Sequence, residues 1–264
     1  MMPSGSLLRK RYMSRVYENS PIVEALCEFR FEPSQRWDWA VPGLFYNEVK
    51  QEFPIRRQFN PFPIDVRAES QQGLVQNVVS NVERMQFVRQ DERALVQVGP
   101  DLMSVHHLKP YSNWKTFKQM IGQSLDVYKR VADPKSITRV GLRYINRLEM
   151  PADQMIKIER FLLAVPTVPY NVPQDFTSWW QRVEIPFVRA NGLLIIQSGS
   201  LLEEGQANVT FLLDLDFVTL QADLVALDGT LEWVDRAHDE IEATFEACLT
   251  DETRRLIGEV GRGG

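Results

Sequence analysis

The chain has 264 residues, 44% hydrophobic and 25% charged, with a net charge of −5. That composition supports a sizeable core and excludes a disordered chain. The acidic balance argues against a protein whose main work is coating nucleic acid, because phosphate binding needs a positive field.

The opening carries Arg9, Lys10, Arg11 and Arg15 with no apolar stretch after them, so it reads as a flexible basic tail over 1–18 and not as a secretory signal. No apolar run approaches the length of a membrane span. From Pro21 to Glu32 apolar and polar residues alternate: Ala25, Cys27, Phe29 and Phe31 point one way, Glu24, Glu28 and Arg30 the other. Period two over this length predicts a half-buried strand. Trp37 to Phe53 reads as a helix around Pro42, with a Pro-rich connector after it at Asn60 to Pro63. Three strands come next, Met85–Arg89, Ala94–Val98 and Leu102–Leu108, separated by turns at Asp91-Glu92-Arg93 and Gly99-Pro100-Asp101. Ser112 or Asn113 then caps a helix reaching about Val131, whose stripe is Trp114, Phe117, Ile121, Leu125 and Tyr128.

The order of elements then begins again. Ile137 to Met150 alternates, with Arg139, Arg143 and Arg147 on its polar side. A shorter helix is predicted over Asp153–Leu163, then strands at Gln181–Val188, Leu193–Gln197 and Asn208–Phe217. Asn191-Gly192 marks a hairpin between the first two, and Glu203 to Gln206 a loop before the third. The closing helix, Leu231 to Leu249, repeats Trp233, Ala237, Ile241, Phe245 and Leu249 at a spacing of four. The expected fold is therefore α+β: a duplicated β-α-β-β-β-α unit, one half at 19–134 and the other at 135–258, with a flexible end at 259–264. Curved antiparallel sheet would have helices on one face and a pseudo-two-fold axis between the halves.

Asn19-Ser20-Pro21-Ile22-Val23-Glu24 leading to Glu28-Phe29-Arg30-Phe31 resembles the opening motif of a sporadically distributed prokaryotic protein family of unknown function. That motif is usually Asn-Pro-Pro-Ile-x-Glu, then a strand ending Glu-Phe-Arg-Phe; here Ser20 replaces the first proline. Lys109-Pro110-Tyr111 with Trp114, the run Arg139 to Arg147, and a last helix with His238, Phe245, Thr250 and Arg254 resemble it too. The resemblance implies a prokaryotic cytoplasmic protein. It carries no activity, cofactor or site residue, and the family's patchy distribution is that of defence or toxin–antitoxin components.

No phosphate-binding glycine loop, metal-ligand spacing or nucleophile elbow is present. Cys27 and Cys248 read as buried free thiols. The sharpest feature is the polar side of the two first strands, Glu24, Glu28 and Arg30 against Arg139, Arg143 and Arg147. It forms either a cross-strand ion-pair network or a groove holding a phosphate or carboxylate. Asp214 and Asp216 share one strand face, as metal-binding carboxylates or as a solvated face. His106 and His107 fall on opposite faces of their strand, His238 reads as a helix-surface or capping residue, and Trp179-Trp180 as an aromatic platform or half-core pair. The favoured reading is a non-enzymatic binding protein, without cofactor, that recognises a protein partner or an anionic ligand through the open sheet face. A nucleic-acid-binding saddle and a metal-dependent hydrolase using Asp214, Asp216, Glu24 and Glu28 stand as alternatives.

Overall fold

A computed structural model describes residues 15–33, 36–59, 84–151, 157–174, 177–201, 208–221 and 225–262. The alternating segments form one open sheet of nine antiparallel strands. In chain order these are β2 (Ile22–Pro33), β3 (Ile55–Phe59), β4 (Arg84–Val88), β5 (Ala94–Gly99), β6 (Leu102–Leu108), β7 (Pro134–Pro151), β8 (Trp180–Phe187), β9 (Gly192–Leu201) and β10 (Asn208–Thr219). Across the sheet the order is β3-β4-β5-β6-β2-β7-β10-β9-β8. The two long first strands, β2 and β7, are neighbours at its centre, with Glu28 opposite Gly141 and Arg30 opposite Arg139. In each half the first strand also pairs with the last, β2 with β6 and β7 with β10.

The helices α1 (Val41–Val49), α2 (Trp114–Ala132) and α3 (Thr230–Cys248) lie on one face. Phe45 of α1 stacks on Phe87, Tyr128 of α2 on Phe31, and Trp233 of α3 packs on Phe217. Ala25, Cys27, Phe29, Val140, Leu142 and Leu215 are fully buried beneath them. Each buried Phe contributes ~1.5–3 kcal/mol. Asn113 caps α2 by accepting from the Thr116 N–H at 2.9 Å. Both cysteines are free and buried, and burial raises both thiol pKa values, that of Cys248 to about 11. Among the described residues no helix is long and apolar enough to cross a membrane.

The halves diverge after their first strand. The first has α1 and the unexpected strand β3. In the second, the described part of the helix expected at 153–163 is a single 3-10 turn, Ile158–Arg160, with a bridge from Leu162 to Leu249 after it. Ile158, Phe161 and Leu162 are buried. Yet Phe161 O accepts from the buried Thr253 hydroxyl at 2.6 Å, and the Leu163 N–H donates to Cys248 O at 2.8 Å. These contacts tie the segment to the end of α3 rather than into its own helix. Shared strand connectivity, not a full repeat of the unit, is what the halves have in common.

The two chain ends also meet. β1 (Arg15–Tyr17) pairs with β11 (Glu259–Arg262) beside the short helix α4 (Asp251–Leu256). Residues 15–17 and 259–262 are thus strand, where flexible tails were expected. Buried Glu246 on α3 accepts from the Tyr17 hydroxyl at 2.6 Å and from Arg254 Nε at 3.1 Å, which anchors this corner. The remainder of the tails (1–14, 263–264), the connector at Asn60–Pro63 and the loop at Glu203–Gln206 lie outside the described residues.

Candidate functional site

The three helices pack on one face of the sheet only; on the other, the central strands carry a strip of polar residues, of which Ser104 and Asp214 are buried. Period two along β2 and β7 places Glu24, Glu28, Arg30, Arg139, Arg143 and Arg147 there together. Their pairing is specific. Glu28 Oε1 accepts from Arg30 Nε at 3.0 Å and from an Arg139 terminal nitrogen at 2.9 Å. Arg139 reaches it by folding over Gly141, the residue opposite Glu28; a Cβ there would stand 3.5 Å from the guanidinium. Its other arm lies 3.9 Å from Asp216. Arg143 holds Asp214 through both arms, Nε at 2.8 Å and a terminal nitrogen in a shorter contact. Gln197 Nε2 donates to the same carboxylate at 3.1 Å. Arg147 stands apart, with Nε 3.4 Å from Glu149.

Glu24 faces away from this arginine group toward β6. Its Oε1 accepts from His106 Nδ1 at 2.7 Å, and His106 Nε2 lies 2.8 Å from Ser104 Oγ. With a carboxylate on Nδ1, that nitrogen donates to Glu24, and Nε2 is the one that meets the Ser104 hydroxyl. Burial raises the Glu24 pKa, but the His106 hydrogen bond and the charges of His106 and Arg143 outweigh it, and the net shift is downward. The order serine, histidine, carboxylate is that of a nucleophilic relay. However, Ser104 is only 2% exposed. It also sits inside a ladder between β2 and β5, where amide N–H groups are committed to neighbouring strands and leave no oxyanion donors. The three side chains instead tie β6 to β2 across the polar face.

Asp216 behaves differently from Asp214. Burial pushes its pKa up to about 6; Arg139 and Arg143 pull it down, Asp214 and Glu28 push it up. Among the described residues no group of three His, Cys, Asp or Glu side chains is placed to hold a metal ion. Asp214 and Asp216 do share the face that alternation assigns them, but arginines face both.

At one end of the strip the balance of charge changes. Arg84, on β4, makes no ion pair with a described residue. Half-burial lowers its pKa, with Arg30 adding to that and Glu28 and Asp101 opposing it. Arg84 lies on the same face as Arg30 and Arg139, with β5 and β6 between its strand and β2, and feels the charges of Glu28, Arg30 and Asp101. Arg84 also lines a cleft of about 330 Å³ with Trp37, Trp39, Gln58 and Met85. Trp39 is 68% exposed there.

Sequence patterning identified the arginines of β2 and β7 but missed Arg84, Ser104, His106 and Gln197 as members of the strip. Ser104 and His106 share a face by period two; that this face meets Glu24 depends on β6 lying beside β2. His107, on the helix face, is buried between Leu108 O and Ser112 Oγ, each at 3.0 Å. His238 is partly buried rather than free on the helix surface. It stacks on Trp114 with ring centroids 4.1 Å apart and meets the Tyr144 hydroxyl at 3.2 Å, because α2 and α3 lie side by side. Burial lowers its pKa to about 4. Trp179 packs on Phe211 toward the core, while Trp180 covers Gly199 on the open face. The chain matches no protein-family model and no curated protein.

Proposed function

We propose that the chain is a non-enzymatic binding protein that holds an anionic group, a phosphate or a carboxylate, on the open sheet face beside Arg30, Arg84 and Arg139. The observation that carries this is Arg84, which shares a sheet face with Arg30 and Arg139 and makes no ion pair with a described residue. A planar guanidinium on a rigid strand is suited to bidentate capture of an oxyanion. A prokaryotic, cytoplasmic setting and a role in defence or toxin–antitoxin systems belong to the same proposal; they rest on the resemblance of the opening motif alone.

The test is binding of inorganic phosphate, pyrophosphate and citrate, measured by calorimetry and by melting temperature. A ligand held by the folded state raises the melting point. Binding should be lost in Arg84→Ala, kept in Arg147→Ala, and weakened by added salt. Equal binding by wild type and Arg84→Ala, or no binding of any of the three anions, sinks the reading.

A further inference from the structure

The last strand of the sheet, β8, pairs only with β9 among the described residues, and no described strand lies on its outer edge. The Ser200 N–H donates to Trp179 O at 3.2 Å. Counting by two from that bond, the backbone groups of Gln181, Val183 and Ile185 face β9, and those of Trp180, Arg182 and Glu184 face outward. Pro186, which has no N–H, falls in the outward set and costs the β8–β9 ladder nothing. Val183 and Ile185 are 44% and 38% exposed on the helix face. The first half covers its corresponding strand, β4, with α1, through Phe45 on Phe87. The second half has a 3-10 turn in the described part of that stretch, and no described helix there covers β8.

We propose that two copies of this chain join edge to edge through β8, antiparallel, about a two-fold axis at Val183. Charge complementarity selects this partner and this register. Centred on Val183, the pairing sets Arg182 opposite the partner's Glu184 and Glu184 opposite the partner's Arg182, on the open face. Val183 meets its own copy on the helix face. A shift of the axis by one residue would oppose Arg182 to itself or Glu184 to itself. In the single chain Arg182 and Glu184 are both exposed and bond only along their own strand, Nε to Oε1 at 2.9 Å. Charged residues and proline on an edge ordinarily block pairing. Here they are spaced so that a two-fold turns the block into a match, the self-complementary arrangement of an isologous interface. Outward Arg182 and Glu184 would exchange backbone hydrogen bonds, and Pro186 O could still accept from the partner's Trp180. The opposite edge, β3, has no such match: centred on its middle residue it would oppose Arg57 to Arg57.

Sedimentation equilibrium of the full chain across micromolar concentrations tests this. Wild type should give twice the chain mass. Glu184→Arg and Arg182→Glu, each made alone, should weaken the dimer at least about tenfold by setting like charges opposite. The two substitutions together restore opposite charges and should restore the dimer. Val183→Lys gives a separate reading at the axis, and circular dichroism checks that every variant folds. A wild-type monomer at all concentrations, a dimer indifferent to the single substitutions, or a double variant no tighter than either single one overturns the proposal.

Discussion

Asp214 receives both N–H arms of Arg143 across the β7–β10 ladder, and its side chain is only 2% exposed. Removing one member of a buried pair strands the other charge. Asp214→Ala should therefore cost about 3–5 kcal/mol in urea unfolding. The double change Arg143→Met with Asp214→Leu should lie nearer to wild type than Asp214→Ala does. A double variant as unstable as Asp214→Ala would show that the pair contributes more than mutual neutralisation.

Asp216 makes the opposite prediction for its neighbour on the same face. Its folded pKa is about 6, against an unfolded value of about 3.9. Between these values the folded state binds more protons than the unfolded one, so this group's contribution to stability falls as pH rises from about 4 to about 6. Above that window the loss is constant, on the order of 2–3 kcal/mol. Asp216→Asn removes the ionisation. It should raise the melting point at pH 8, leave it near the wild-type value at pH 4, and flatten the difference curve between. A destabilised variant at pH 8 would mean that the charge contact with Arg139 outweighs burial.

Gly192 predicts a steric failure. A Cβ at this position would stand 2.0 Å from the Phe217 ring. That ring cannot retreat, because it is fully buried between Phe187 and Trp233 at 5.6 and 5.7 Å. Gly192→Ala should cost about 2–3 kcal/mol, measured by denaturant unfolding, with part recovered by Phe217→Leu. A neutral substitution would show that β9 can shift at its start. The Asn-Gly pair was legible in the sequence as a hairpin signal, and β8 and β9 do form a hairpin. Its reason was not legible: Asn191 takes the left-handed conformation, at φ 48, after a 3-10 turn, and Gly192 is needed for close approach.

By itself the sequence determined which residues share a face. Alternation is local, so Glu24, Glu28 and Arg30 had to fall opposite Cys27 and Phe29, and Arg139, Arg143 and Arg147 opposite Val140 and Leu142. The stripes of α2 and α3 arise from helical period in the same way. Spacing alone could not separate a helix from a turn at Ile158, Phe161 and Leu162, since both bury residues three and four apart. Tertiary structure alone decided the strand order, and with it the partners: β6 against β2 joins His106 to Glu24, and β10 against β7 joins Asp214 to Arg143. Those contacts link residues 71 and 82 positions apart. Their side chains do not pair through any periodic pattern in the chain; they pair because packing the apolar face of the central strands under the helices brings those strands side by side in one register.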